Sequence, residues 1–223
     1  MRKTPATPVI NGLYAITPDG LSSAELLRRT RLALTGGVRV LQYRNKSVDS
    51  GLKREQALAL RGLTHEFGAA LIVNDDAGLA AQIAADGVHL GADDGEISAA
   101  RAQLGSGRLI GVSCYNQPEL ARRAQAQGAD YVAFGAFFPS GVKPGAVRAT
   151  PDLLRQMRRE LDLPLVAIGG IDTNNGGELI EAGANALAVI SALFGAADIQ
   201  RTAQQFSTLF SEKRHDLSQS ATV

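Results

Sequence analysis

The sequence predicts a single-domain α/β fold, a (β/α)8 barrel of the TIM-barrel kind, and three observations carry that expectation. Short apolar, β-branched runs alternate with segments of helical periodicity eight times along the chain. The runs hold few polar residues at alternate positions, which suits strands buried on both faces of a parallel sheet. Strand–helix alternation forces crossover connections, and eight units of about 28 residues each match the lower end of barrel sizes. An open doubly wound sheet is the competing architecture. It often carries a G-x-G-x-x-G turn after its first strand, whereas the turn after Leu13–Thr17 reads PDGLSSAE.

The bulk numbers bound the function. The 223 residues suffice for one sizeable domain, expected to span 1–223 with its core over about 10–210 and a flexible tail over 211–223. A net charge of +1 argues against nucleic acid as a partner, so any cations that matter must be locally concentrated. Cys114 is the one cysteine, which rules out an intramolecular disulfide and suits a reducing compartment. No run approaches the ~18 apolar residues of a membrane span, and the start MRKTPATPVINGLYAIT has no apolar stretch of signal-peptide length. The expectation is a cytoplasmic enzyme acting on small molecules, with its oligomeric state left open.

Each strand is placed by its run, and in a barrel the chemistry belongs at the strand's C-terminal end. Strand 1 is Leu13–Thr17, followed by the helical segment SAELLRRTRLALTGG. Strand 2, Val38–Arg44, ends in Gln42-Tyr43-Arg44-Asn45-Lys46. Alternate residues share a side, so Gln42, Arg44 and Lys46 are expected to converge in the barrel mouth, where desolvating the glutamine and arginine calls for a ligand; a solvated charged loop is the alternative. Strand 3, Ala70–Asn74, runs into Asp75 and Asp76, and strand 4, Gly87–Gly91, into Asp93 and Asp94. Such carboxylates suit Mg²⁺, which takes one or two of them beside substrate phosphate oxygens; helix capping is the alternative, above all for Asp76 and Asp93. Strand 5 is Leu109–Ser113, and Cys114 behind it lacks a partner that would make it a nucleophile. Strand 6, Tyr131–Gly135, leads into FGAFFPSGVKPGAVRAT, where Lys143 lies in a glycine- and proline-bearing loop; alone it would read as surface decoration, and with Arg44 and Lys46 nearby it suits gripping phosphate. Strand 7, Leu165–Gly169, and strand 8, Ala186–Ser191, end in Gly169-Gly170 and Ile190-Ser191. Small residues there let backbone N–H groups approach a phosphate, although a tight turn also accounts for the glycines. Gly37, Gly87, Gly128 and Gly183 are read as helix-ending residues in the left-handed conformation. His89 is read as a hydrogen-bonded structural residue, with a minor role as a base left open.

Taken together, Tyr14-Ala15-Ile16-Thr17, Gln42-Tyr43-Arg44-Asn45-Lys46, Asn74-Asp75-Asp76, Gly87-Val88-His89-Leu90-Gly91 with Asp94, Gly111-Val112-Ser113, Lys143-Pro144-Gly145 and Ala167-Ile168-Gly169-Gly170-Ile171 resemble the thiamine phosphate synthase family, from about Leu13 to Phe210. The resemblance implies that hydroxymethylpyrimidine pyrophosphate loses pyrophosphate and a thiazole phosphate takes its place, giving thiamine phosphate. It implies Mg²⁺ on Asp75 and Asp94, and Arg44, Lys46, Ser113 and Lys143 as the catalytic contacts. Arg44, Lys46, Asn74 and Lys143 would bind pyrophosphate. Gln42 and Ser113 would bond the pyrimidine or the pyrophosphate, with Ser140 beside them. Gly170, Ile190 and Ser191 would seat the thiazole phosphate. The step looks dissociative and needs no general base. The chain departs from the family pattern at Ala92, where glutamine is usual, at Ser140-Gly141-Val142-Lys143, where Thr-x-Thr-Lys is usual, and at Ala136, where proline is common.

Two rivals share the fold. A thiazole tautomerase would not need the metal and pyrophosphate residues that this chain retains. A non-catalytic sensor of thiamine-pathway ligands would rest on Ala92 and Val142 alone. A generic phosphosugar barrel enzyme would normally show an acid–base pair, and none is identifiable.

Overall fold

In the computed structural model, residues 9–46, 49–91, 95–139 and 148–220 are described, with side chains as far as Ser211. Eight parallel strands close into a barrel in chain order: β1 (Gly12–Ile16), β2 (Val40–Tyr43), β3 (Ala70–Asn74), β4 (Gly87–Leu90), β5 (Leu109–Tyr115), β6 (Tyr131–Phe134), β7 (Leu165–Ile168) and β8 (Ala186–Val189). Each lies within two residues of the run that predicts it. Seven helices link the strands outside the barrel: α1 (Ser23–Thr35), α2 (Ser50–Glu66), α3 (Ala77–Gln82), α4 (Ile97–Leu104), α5 (Pro118–Ala126), α6 (Pro151–Glu160) and α7 (Gly176–Glu181). A one-turn α8 (Ser191–Phe194) follows β8, so Ser191 opens a helix instead of closing the strand as expected. The long α9 (Ile199–Ser220) completes the ring, and its backbone is helical through most of the stretch expected as a tail. No helix among the described residues is long and apolar enough to cross a membrane.

The period of two sorts the strand residues into two cores. Tyr14, Ile16, Val40, Ala70, Ile72, Leu109, Tyr131, Ala133, Val166, Ala186 and Ala188 fill the barrel interior. Their neighbours in sequence, such as Leu13, Ala15, Leu41, Leu71 and Val132, pack outward under the helices. Helix starts follow capping chemistry: Ser22, Asp49 and Asp76 accept from backbone N–H groups three residues on, at 3.3, 2.9 and 2.8 Å.

The barrel's base is fastened by a repeated device. Asp86, Asp130 and Asn185 each stand just before an even strand. Each donates its N–H to the carbonyl of a residue on the preceding odd strand, Leu71, Ile110 and Leu165. The side-chain oxygen then accepts the N–H of that same residue, at 2.8, 2.7 and 2.9 Å, closing a ring. Arg39 holds the equivalent place before β2 and makes the backbone bond to Leu13, but its side chain carries no acceptor.

One expectation about turns is corrected. Gly37, Gly128 and Gly183 have positive φ, but before β4 it is Ala84 that turns left-handed, with φ 53°. Gly87 is instead a strand residue pressed against β5: a Cβ there would lie 2.3 Å from the Leu109 carbonyl oxygen.

Candidate active site

At the C-terminal ends of β2 and β3, a cavity of 660 Å³ is lined by Arg44, Asn45, Lys46, Lys53, Asn74, Asp75, Asp76, Ala77, Gly78 and Gln103. Four of the residues expected in the site, Arg44, Lys46, Asn74 and Asp75, therefore meet in one place. The loop after β2 is pinned by β1 and the residues behind it. Thr17 Oγ1 donates to the Arg44 carbonyl and accepts from the Arg44 N–H, both at 2.9 Å. Asp19 takes the Arg44 guanidinium at 2.6 Å with one oxygen and the Lys46 N–H at 3.0 Å with the other. The Arg44 side chain is about a quarter exposed, so Asp19 orients it without removing it from the cavity.

Asp75 adopts φ 64°, the left-handed region that a short polar side chain tolerates. Its N–H donates to the His89 carbonyl at 2.8 Å, which fixes the turn at the cavity wall, and its carboxylate accepts from Asn74 Nδ2. Asp76 is committed to capping α3, as its alternative reading held. Among the described residues no cluster of three or more His, Cys, Asp or Glu side chains forms. Asp93, Asp94, Ser140 and Lys143 lie outside the described residues.

Gln42 and Arg44 do not converge as expected. Arg44 lies beyond the end of β2 and is drawn to Asp19, whereas Gln42 is buried inside the barrel, 4% exposed. There it joins a row of hydrogen bonds that crosses the interior. Gln42 Nε2 donates to the Tyr14 hydroxyl at 2.9 Å, and the Tyr14 and Tyr131 hydroxyls are 2.9 Å apart. The Tyr131 hydroxyl lies 3.1 Å from His89 Nδ1, and His89 Nε2 lies 2.9 Å from Ser113 Oγ. The row thus joins β2, β1, β6, β4 and β5 and ends on the half-buried Ser113. Burial holds both phenols protonated well above the usual phenol range, and at Tyr131 the neighbouring Tyr14 adds to the effect. His89 is structural here, with both ring nitrogens engaged. Cys114 is a packed side chain, its thiol pushed up to about 12 by burial.

At the opposite rim, Gly169 and Gly170 have φ 103° and 67°. A Cβ on Gly170 would fall 2.6 Å from the Phe138 and Pro139 carbonyl oxygens, and one on Gly169 would fall 2.5 Å from the Ala136 Cβ. The loop after β6 therefore needs this glycine pair. Ile190 and Ser191 lie at the start of α8, where the first backbone N–H groups of a helix have no partner within it.

Sequence reasoning gave no role to Tyr14 and Thr17, although both stand in a motif of the resemblance, and did not single out Tyr131, Asp19, Lys53 or Gln103. The two tyrosines occupy inward positions of runs otherwise read as apolar wall. A buried phenol needs a hydroxyl partner, and that was the signal available.

Comparison with known proteins gives a consistent result. The profile of the family described as thiamine monophosphate synthase matches residues 13–193. The chain is 53% identical over 201 residues to the thiamine-phosphate synthase of Nitrosospira multiformis, covering 90% of this chain and 86% of that protein. It is 55% identical over 203 residues to that of Methylobacillus flagellatus, covering 91% and 97%. Among solved structures, the thiamine phosphate pyrophosphorylase from Pyrococcus furiosus superposes with a TM-score of 0.81 at 33% identity, covering 90% of this chain and 96% of that one.

Proposed function

The chain belongs to the thiamine monophosphate synthase family and is a transferase that makes thiamine phosphate, and we propose that it does so by the pyrophosphate-releasing route through the residues described above. The substrates on this reading are hydroxymethylpyrimidine pyrophosphate and a thiazole phosphate. The bond from the pyrimidine's exocyclic carbon to the pyrophosphate oxygen breaks, and the electron pair leaves with pyrophosphate. The thiazole ring nitrogen then supplies the pair for the new carbon–nitrogen bond. The observation that carries the reading is the joining of Arg44, Lys46, Asn74 and Asp75 around one cavity at the barrel mouth.

On this reading each residue has a task. Arg44, oriented by Asp19, and Lys46 take the charge that grows on the departing pyrophosphate, and Asn74 donates to it. Lys143 would add a further cation from the loop after β6. Ser113 and Gln42 face the pyrimidine from the interior row. The backbone N–H groups of Gly170, Ile190 and Ser191 take the thiazole phosphate. No group has to remove a proton from carbon, which agrees with an imidazole whose nitrogens are both engaged.

Asp75 fits a Mg²⁺ ligand: it is a hard oxygen donor on the cavity wall beside the pyrophosphate-binding cations, and Asp94 would be its partner. When bound, Mg²⁺ would neutralise charge on the pyrophosphate oxygens. Product formation from the two substrates, with Mg²⁺ and then with EDTA, tests the reading. Metal-dependent product is expected, and Asp75→Ala should lower turnover by roughly 10²- to 10³-fold while the fold survives. Turnover unaffected by EDTA and by Asp75→Ala would dismiss the metal assignment. A folded wild type that makes no product from either condition would dismiss the substrates.

A further inference from the structure

We propose that the interior row has a single direction, set by Gln42, and that this direction makes Ser113 a hydrogen-bond donor to the substrate, with Tyr131 as a positioning residue. An amide nitrogen can only donate, so the Tyr14 oxygen receives from Gln42. Tyr14 has one hydrogen, and the acceptor within its reach among the described residues is the Tyr131 oxygen, so that hydrogen goes there and the Tyr131 hydrogen goes to His89 Nδ1. A neutral imidazole that accepts at Nδ1 carries its hydrogen at Nε2, and that hydrogen points at Ser113 Oγ. The reverse direction would have the Tyr14 oxygen accept from both Gln42 and Tyr131 and leave its own buried hydrogen without an acceptor.

Both tyrosine hydroxyls in the row accept once and donate once. Thr30 Oγ1 is the one buried side-chain polar atom without a partner among the described residues, so the row leaves nothing unsatisfied along its length. Ser113 differs by its position at the end of the row: it accepts from His89, is half-buried, and its own hydrogen is left for the mouth. Ser113 therefore suits a lone-pair acceptor, a pyrimidine ring nitrogen or a pyrophosphate oxygen, and does not suit an amino group. The identity of that acceptor rests on the synthase reading, whereas the direction of the row does not.

The space for the row is built into the backbone. Gly111 on β5 is the register partner of Tyr131 on β6. A Cβ at residue 111 would lie 1.9 Å from Tyr131 Cζ, so the ring lies flat over the glycine and its hydroxyl reaches His89 only because nothing is there.

The test is the tautomer of His89 in the full chain, read by ¹⁵N NMR on histidine-labelled protein in neutral buffer and assigned by its loss in His89→Gln. The wild type should carry the hydrogen on Nε2. Gln42→Glu replaces a donor by a carboxylate that can only accept, so the row should reverse and the hydrogen should move to Nδ1. Adding Tyr131→Phe to Gln42→Glu cuts the row and should return it to Nε2. Tyr131→Phe alone keeps the ring but loosens His89, and should raise KM for the pyrimidine pyrophosphate about five-fold, the worth of one ordinary hydrogen bond, with kcat within about two-fold. A wild-type His89 protonated at Nδ1 or at both nitrogens would overturn the proposal, and that measurement stands even if Gln42→Glu fails to fold. An unmoved tautomer in a folded Gln42→Glu protein, or a Tyr131→Phe protein with lowered Tm and wild-type KM, would overturn it as well. Absence of product from the wild type would count against the synthase reading and leave the tautomer result intact.

Discussion

Replacing Gly111 by alanine is the sharpest test of how the interior is packed. The added Cβ would lie 1.9 Å from Tyr131 Cζ and 2.4 Å from both Cε atoms, a contact that no rotamer of a methyl group relieves. The Tyr131 ring is fully buried and held through its hydroxyl to Tyr14 at 2.9 Å and His89 at 3.1 Å. Moving it away breaks or lengthens both bonds. Overpacking of a tight core costs about 1–3 kcal/mol, and two ordinary hydrogen bonds add about 1 kcal/mol each. The expected loss is about 3–5 kcal/mol, a large share of the ~5–15 kcal/mol that separates folded from unfolded chains. At about 2–4 °C per kcal/mol for a chain of this size, Tm should fall by roughly 6–20 °C. Thermal melts followed by far-UV circular dichroism, with urea unfolding beside them, measure it. Combining Gly111→Ala with Tyr131→Ala should be less damaging than the two losses added, because the methyl enters space the ring has vacated. A Gly111→Ala protein melting within about 2 °C of wild type, or strict additivity in the pair, would refute the packing described.

Two further expectations follow from groups away from the mouth. Asp130→Ala should destabilise the barrel by about 2–3 kcal/mol, since it leaves the buried Ile110 N–H without its acceptor and Arg101 without its carboxylate; a urea midpoint unchanged from wild type would remove the base rings as a source of stability. In the alkaline range, Cys114 holds its proton to about 12 when folded, against an ordinary 9.0 once unfolded. Its contribution is therefore fully present below pH 9 and lost as pH rises from there towards 12, at a slope approaching ~1.4 kcal/mol per pH unit. Between pH 8 and 10 the stability of Cys114→Ala should fall less steeply than that of wild type, and parallel slopes would dismiss the effect.

The barrel was legible because its strands are buried on both faces, so the apolar runs are continuous and the eight alternations stand out. Arg44, Lys46, Asn74 and Asp75 were legible because they follow directly on apolar strands, at the end where a barrel holds its ligands. The interior row was not. Tyr14 and Tyr131 are 117 residues apart, and each looks like ordinary wall in its own strand; what joins them is the stagger of strands around the closed barrel, which period-two alternation alone does not give. Gly87 was misread for a related reason. Its place after a helix suggested a left-handed turn, whereas its real constraint is the approach of β5, a long-range fact. The glycine pair at 169 and 170 answers to the turn reading: both residues have positive φ, and the loop after β6 leaves no room for a Cβ on either.

The rings at the base have a consequence for the order in which the chain can be made secure. β3 with β4, β5 with β6 and β7 with β8 are each locked by a residue lying between the two strands, so each pair is self-sufficient as soon as its second strand arrives. The first pair lacks such a lock, because Arg39 stands where the others have Asp or Asn. At the base, support for this pair comes from the far end of the chain: Ser207 of α9 donates to the Gly36 carbonyl at 3.2 Å, and Ala203 sits so close that a Cβ on Gly36 would lie 2.4 Å from it. During synthesis from the N-terminus, the strands that emerge first are thus the last to be fastened at the base, although Thr17 and Asp19 tie their upper ends at once. Shortening the chain from its C-terminal end as far as Ala203 would strike the first pair of strands together with the α7 and α8 helices beside the last.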